Sequence, residues 1–196
     1  MYDAIVVGAR CGGSPTAMLL ARHGYRVLLV DQATFPSDTV STHFIWPPGL
    51  ACLKQWGLME RVLASNSPAF RTIGLDLGDY VLTGDMPPTD GVAEMSAPRR
   101  IVLDKLLRDA ASEAGAEIRE STTVTGLNFA DHRVTGIRCR GRSGTEFTEQ
   151  ARIVMRLSRE LCRQSLRGWH LRSGSALPTT PAPQRLSHPD CRGFSP

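Results

Sequence analysis

The sequence is poor in the features that mark membrane-spanning and secreted chains. Its 196 residues contain no apolar run of about 18 residues or more, so no transmembrane helix is predicted. The N-terminus, MYDAIVVGAR, has no basic stretch ahead of its short apolar run, so no signal peptide is predicted either. We therefore expect a cytoplasmic protein without an integral membrane segment.

Cysteine is scarce and scattered. The five cysteines are an odd number, no two are close in sequence, and they form no CxxC pair: Cys11, Cys52, Cys139, Cys162 and Cys191. This pattern predicts isolated reduced thiols, with neither a disulfide framework nor a metal site.

Lysine, isoleucine and valine are absent from residue 156 onward, where the composition changes abruptly. Residues 1–150 hold 15 Lys/Arg and 17 Asp/Glu, whereas residues 151–196 hold eight Arg, no Lys and two acidic residues. The last 22 residues contain five Pro and show no apolar periodicity. We expect a folded domain over residues 1–154 and a disordered Arg/Pro/Ser-rich tail over residues 155–196.

The N-terminus is typical of a β-turn-α-β unit. Its pattern predicts a buried strand, a helix and a second apolar strand, at residues 2–8, 16–23 and 26–30. Ser14 is a candidate N-cap of the helix and Pro15 a candidate for its first position. Asp31 stands at the tip of the second strand.

The turn of this unit has the composition of a dinucleotide-binding loop. A helix N-terminus attracts a pyrophosphate, and glycines let the backbone approach it closely. Gly8 and Gly13 fill the first and third positions of GxGxxG, while Arg10 replaces the second glycine. Arg10 could pair with a phosphate or point to solvent. Asp31 favours NAD or FAD over NADP, because an acid repels a 2′-phosphate, but it does not separate NAD from FAD.

The remaining pattern predicts further helices and antiparallel strands. Helices are expected at residues 47–56, 58–64 and 101–114, and hairpins at 71–77 with 80–83 and at 122–129 with 133–138. A strand is expected to begin at residue 117. Another is expected at residues 145–149, with a separate apolar strand beginning at residue 153.

Three stretches in this order resemble a known family: VVGARCGGSPTAMLLARHGYRVLLVD, TFPSDTVSTHFIWPPGL and APRRIVLDKLLRDAASEAGAEIRE. They are similar to FAD-dependent oxidoreductases related to p-hydroxybenzoate hydroxylase and geranylgeranyl reductase. One branch of that family carries Arg where Arg10 stands. The resemblance covers about residues 1–154 and implies an α/β fold, in which a Rossmann-like βαβ FAD-binding unit carries an antiparallel β insertion.

The resemblance also implies cofactor contacts. It places Asp31 at the adenosine ribose, Ser41 and His43 on the flavin side, and Arg100 against the cofactor. For Arg99 and Arg100 the alternative is a solvated basic pair before a helix. The turn around the FAD pyrophosphate corresponds to Gly8, Ala9, Arg10, Gly12 and Gly13.

The implied reaction is flavin redox chemistry on a small aromatic or prenyl substrate, with NAD(P)H as reductant. No catalytic residue is assigned, although His43 is a candidate acid or base. An NAD-linked dehydrogenase is the first alternative, and an inactive non-enzymatic fragment is the second. The Arg-Arg-x-x-Leu-Asp helix and the hairpins argue against the dehydrogenase.

Family members continue after the Ala-Arg-Ile-Val strand with Gly-Ala-Asp-Gly and, later, a Gly-Asp motif. Here Met155-Arg156-Leu157-Ser158 follows instead, and no Gly-Asp motif appears downstream. We therefore interpret residues from about Met155 onward as a frameshift product and the chain as a truncated copy that holds flavin poorly. The rival interpretation, a nucleic-acid-binding tail, is weakly supported by eight Arg without Lys, and no nucleic-acid partner is expected.

Overall fold

A computed structural model describes residues 1–41 and 44–157. The helices are α1 (Gly13–Arg22), α2 (Pro47–Gln55), α3 (Met59–Leu63) and α4 (Arg100–Glu113). The strands are β1 (Tyr2–Val7), β2 (Val27–Val30), β3 (Ala69–Phe70), β4 (Thr72–Asp76), β5 (Val81–Asp85), β6 (Met95–Ser96), β7 (Glu117–Arg119), β8 (Thr123–Ala130), β9 (Arg133–Arg140) and β10 (Glu146–Arg156). The predicted α/β class is confirmed.

One six-stranded sheet, in the order β7-β2-β1-β10-β9-β8, organises the fold. β7, β2 and β1 are parallel, as a βαβ unit requires, and β1 also pairs in parallel with the second half of β10. β8 and β9 pair antiparallel with each other, and β9 pairs antiparallel with the first half of β10. The parallel and antiparallel parts are therefore joined through one strand.

β10 corrects the prediction of two separate strands at residues 145–149 and from 153. It is a single strand of 11 residues. Its residues 146–150 pair with β9, and Ala151 to Arg156 pair with β1. No glycine or proline interrupts it, so the change of partner needs no break in the chain. The strand continues through Met155 and Arg156; the predicted disorder of residues 158–196 lies outside the described residues.

Two apolar layers cover the two faces of the parallel strands. Alternate residues of a strand point to opposite faces, and β1 follows this rule. Val6 packs with the helical layer, which includes Met18 of α1 and Leu107 of α4. Ile5 packs on the other face, with Ile137 of β9. Each such buried side chain contributes about 1.5–3 kcal/mol. Packing on both faces holds the end of β1 in place, and the glycine turn begins there.

The other predicted elements lie close to their expected positions. α2 begins with Pro47, and α4 covers residues 100–113 where 101–114 were predicted. The hairpins β4–β5 and β8–β9 are present at the predicted places. The short sheet of β3 and β6 was not predicted. No helix in residues 1–41 and 44–157 is long and apolar enough to cross a membrane.

Candidate cofactor-binding site

The glycine turn after β1 is built so tightly that side chains are excluded from it. Gly8 has φ +108, in the region that favours glycine, and its N–H donates to the Val30 carbonyl at 2.8 Å. A Cβ on Gly13 would lie 1.7 Å from the Gly8 carbonyl oxygen and 2.9 Å from the Gly8 carbonyl carbon. Gly8 and Gly13 are therefore required for the turn to close.

α1 begins earlier than the pattern suggested. It starts at Gly13 with Gly12 as its N-cap, and no side chain caps it, so the expectations of Ser14 as the N-cap and Pro15 at the first position were wrong. The close contact between Gly13 and the Gly8 carbonyl sets the helix start instead. Ser14 is fully buried within the first turn, and within residues 1–41 and 44–157 its Oγ has no hydrogen-bond partner. A buried hydroxyl without a partner is costly unless a ligand satisfies it.

Asp31 lies at the end of β2, as predicted, and is bonded to the turn itself. Its Oδ2 accepts from the Ala9 N–H at 2.6 Å, and its Oδ1 accepts from the Ala33 N–H at 2.8 Å. The residue as a whole is 8% exposed. Each carboxylate oxygen can accept a second hydrogen bond. Asp31 can therefore keep its hydrogen bond from the Ala9 N–H and also accept one from a ligand hydroxyl.

Arg10 does not simply point to solvent, and its pairing with a phosphate stays a prediction. Its Nη1 forms an ion pair with Asp104 Oδ2 at 2.7 Å, and its Nη2 donates to Ser37 Oγ at 3.1 Å. Its guanidinium also stands 5.4 Å from the centre of the Phe35 ring. The side chain remains 28% exposed. The Arg10 guanidinium is thus held beside the turn, and its exposed part is accessible to a ligand.

Arg100 shares the same carboxylate. Its Nη2 lies 2.9 Å from Asp104 Oδ1 and its Nε lies 3.1 Å from that oxygen. The neighbouring Arg99 is different: its side chain is 76% exposed and lies 3.3 Å from Asp38. The solvated-pair alternative therefore describes Arg99 but not Arg100, whose side chain is 20% exposed.

The described part of the structure does not bring Ser41 and His43 together at the turn. Ser41 is half-buried in the segment between β2 and α2, and His43 lies outside the described residues. The flavin-side role of both residues stays a prediction.

Cys11 lies in the turn and contacts the same acid. Its Sγ donates to Asp104 Oδ1 at 3.2 Å. Burial of the sulfur raises the pKa of the Cys11 thiol to about 12, and the Asp104 charge adds to that rise. The thiol is therefore a poor nucleophile at neutral pH. In residues 1–41 and 44–157 no cluster of His, Cys, Asp or Glu could hold a metal ion.

This geometry fits a dinucleotide. The turn admits no side chain at Gly13, and the buried Ser14 Oγ has no partner in the part of the chain that the structure describes. The Asp31 carboxylate lies at the end of the neighbouring strand. A family model described as an FAD binding domain matches residues 1–155. The chain belongs to the FAD binding domain family. The resemblance noted from the sequence is confirmed.

Relatives of this FAD-binding chain include several reductases and the rifampicin monooxygenase of Streptomyces venezuelae, to which it is 29% identical over 141 residues, covering 69% of this chain and 28% of the relative. It is 31% identical over 164 residues to digeranylgeranylglycerophospholipid reductase of Methanocella arvoryzae, covering 79% of this chain and 38% of the relative. It is 31% identical over 172 residues to menaquinone reductase of Mycobacterium tuberculosis, covering 86% and 41%. The chain spans less than half of the length of the curated relatives it matches.

Among solved structures, the chain is similar to a myxobacterial FAD-dependent chondrochloren halogenase. The TM-score is 0.75 at 25% identity, over 80% of this chain and 37% of the halogenase. A geranylgeranyl bacteriochlorophyll reductase-like protein from Thermoplasma acidophilum shares the fold, with a TM-score of 0.65 at 20% identity, over 80% of this chain and 39% of that protein.

Sequence reasoning missed Asp104, Ser37 and the unpartnered hydroxyl of Ser14. The spacing of Arg100 and Asp104, four residues apart where the predicted helix 101–114 begins, was a usable signal for the pair. The contacts of Arg10 with residues 27 and 94 positions away had no local signal.

Proposed function

We propose that this chain is the FAD-binding portion of an FAD-dependent oxidoreductase of the monooxygenase or prenyl-reductase type. The observation that carries the proposal is the closed glycine turn from Gly8 to Gly13, held to Asp31 by the Ala9 N–H at 2.6 Å. The family match over residues 1–155 and the reductase and monooxygenase relatives support it.

The described residues have defined tasks in this proposal. The N-terminus of α1, Gly12 and Gly13 would receive the pyrophosphate with backbone N–H groups and the positive end of the helix dipole. Ser14 Oγ would donate to a phosphate oxygen, and Asp31 would accept from a ribose hydroxyl. Bound FAD supplies the redox chemistry of its isoalloxazine ring.

The substrate and the reductant belong to the complete enzyme. A small aromatic or prenyl substrate and NAD(P)H as reductant are the proposals that the resemblance supports. The relatives' names include a prenyl-lipid reductase, a quinone reductase and a rifampicin monooxygenase, so the choice between hydroxylation and reduction needs the substrate-binding part.

Calorimetric titration with FAD, ADP, NAD and riboflavin tests the proposal. ADP should bind, and FAD should bind no more tightly than ADP, because the turn and Asp31 would contact the ADP half and a truncated copy is expected to hold the flavin half poorly. Riboflavin, which lacks phosphate, should not bind. Asp31→Asn should weaken FAD and ADP binding about 10- to 100-fold, because it removes a hydrogen bond to a charged group worth about 1.5–3 kcal/mol.

The matched control is Asp79→Asn, which makes the same charge change in the exposed turn between β4 and β5 and should leave affinity unchanged. Absence of FAD and ADP binding to the wild-type chain contradicts the proposal. Binding of NAD more tightly than FAD favours the dehydrogenase alternative instead.

A further inference from the structure

Asp104 is a fully buried acid that pairs with two arginines, one of which lies in the glycine turn. It lies in the second turn of α4, and its side chain has no exposed surface. An isolated buried carboxylate is strongly unfavourable, so its partners must remain in place when the protein is folded. Those partners are Arg10 at 2.7 Å, which lies 94 residues away in sequence, and Arg100 at 2.9 Å, which lies four residues away on the same helix.

The two arginines outnumber the acid. Arg10, Arg100 and Asp104 together carry a net charge of +1, and both arginine side chains keep exposed surface, 28% and 20%. Arg10 belongs to the turn itself, between Gly8 and Gly12, and Ser37 and Phe35 hold its guanidinium on the other side. The cluster therefore presents a fixed, partly solvated surplus of positive charge beside the N-terminus of α1.

We propose that Asp104 is a positioning residue that holds Arg10 and Arg100 beside the glycine turn, so that their surplus charge faces the pyrophosphate of the bound dinucleotide. The inference rests on the proposed function, because it needs a pyrophosphate at the turn. It assigns the phosphate selectivity of the site to an acid that does not itself touch the ligand. Preorganised guanidinium groups bind phosphate better than free ones because less side-chain freedom is lost on binding.

Two other roles make opposite predictions. If Asp104 acted only as a neutralising charge, Asp104→Asn would raise the cluster's charge from +1 to +2 and tighten ADP binding. If it acted only in holding α4 to the fold, the variant would lower the thermal midpoint and leave the ligand affinities of the folded protein unchanged. A positioning role weakens ADP binding in spite of the greater positive charge.

The test compares ADP with adenosine by calorimetry, on the whole chain, in wild type and Asp104→Asn. The proposal predicts that ADP affinity falls roughly tenfold while adenosine affinity stays within about twofold. The control is Asp109→Asn, on the same helix but paired with Lys105 and Arg108, which should change neither affinity. Equal loss for ADP and adenosine, or tighter ADP binding, overturns the proposal.

A milder variant keeps the test valid if Asp104→Asn does not fold. Ser37→Ala removes the hydroxyl that anchors Arg10 Nη2 at 3.1 Å and leaves the buried ion cluster intact. It should weaken ADP about two- to threefold, again without an effect on adenosine. The contact from Arg10 Nη1 to the Ser37 carbonyl, which the variant retains, is long at 3.4 Å. An unchanged ADP affinity in Ser37→Ala would therefore show that fixing the Arg10 guanidinium does not favour ADP, and would overturn the proposal.

Cys11 reports on the cluster without any ligand. Its Sγ lies 3.2 Å from Asp104 Oδ1, and loss of that carboxylate lowers the thiol pKa. Alkylation of Cys11, followed by mass spectrometry with the exposed Cys52 as internal reference, should be faster in Asp104→Asn. An unchanged rate shows that the cluster is not formed in solution and overturns the proposal.

Failure of the proposed function and failure of the positioning role give different results. If the wild-type chain binds neither FAD nor ADP, the proposed function fails and this inference fails with it. If the wild type binds ADP and the Asp104 variant binds it equally well, only the positioning role fails.

Discussion

The substitution Gly13→Ala tests the tightness of the turn on which the site depends. The added Cβ would stand 1.7 Å from the Gly8 carbonyl oxygen and 3.2 Å from Val6 Cγ1. An ordinary contact of this kind is about 3.5 Å, so the backbone of the turn or the start of α1 must move by well over 1 Å. Overpacking at this level typically costs about 1–3 kcal/mol and sometimes more, and the clash here is with backbone, so we expect a loss of about 3 kcal/mol.

Gly12→Ala is the matched control. Gly12 has helical dihedrals, φ −92 and ψ −49, and its Cβ would lie at an ordinary contact distance of 3.8 Å from Leu157 Cβ. Its stability should change by no more than about 0.5 kcal/mol. Urea unfolding followed by circular dichroism measures both variants, and a loss of about 3 kcal/mol lowers the midpoint by roughly 1–3 M. Equal midpoints for Gly13→Ala and Gly12→Ala would refute the description of the turn.

Two further predictions concern acid stability and an exposed side chain of β10. The hydrogen bond from the Tyr2 hydroxyl, 2.6 Å from Glu117 Oε2, is the main cause that holds the pKa of that carboxyl below its usual value. The stability that this hydrogen bond contributes is present above about pH 4.3, the ordinary pKa of Glu, and is lost as the pH falls through the lowered pKa. The urea midpoint should therefore fall less in Tyr2→Phe than in wild type between about pH 5 and about pH 3. An equal fall in both proteins would contradict this role of the hydrogen bond. Ile153 is 58% exposed on β10, so Ile153→Lys should change the free energy of unfolding by less than about 0.5 kcal/mol in urea titration. A loss of about 2 kcal/mol or more would contradict the exposed position of this side chain.

Local patterns were sufficient for most elements of this fold. The apolar run before Gly8, the glycine-rich turn and the second strand ending at Asp31 predicted the βαβ unit, since each feature depends on neighbours in sequence. The helix of α4 was predicted within one residue for the same reason. Gly115, with φ +100, follows its end as a left-handed stop.

The features that the sequence did not predict depend on contacts between distant parts of the chain. β10 changes its partner from β9 to β1 within one continuous strand, and no glycine or proline in the sequence marks the change. The start of α1 is set by the contact of Gly13 with the Gly8 carbonyl rather than by a capping side chain. The ion pair of Arg10 with Asp104 joins residues 94 positions apart, and no periodicity reports it.

The central claim is that the turn from Gly8 to Ser14 receives the pyrophosphate of FAD. Amide chemical shifts of the isotopically labelled chain, recorded during titration with ADP, test it most directly. We predict saturable shifts for Gly8, Gly12, Gly13, Ser14 and Asp31, with no change for the distant β4–β5 hairpin. Saturable shifts confined to other residues, or no shifts at all at a large excess of ADP, would contradict the account.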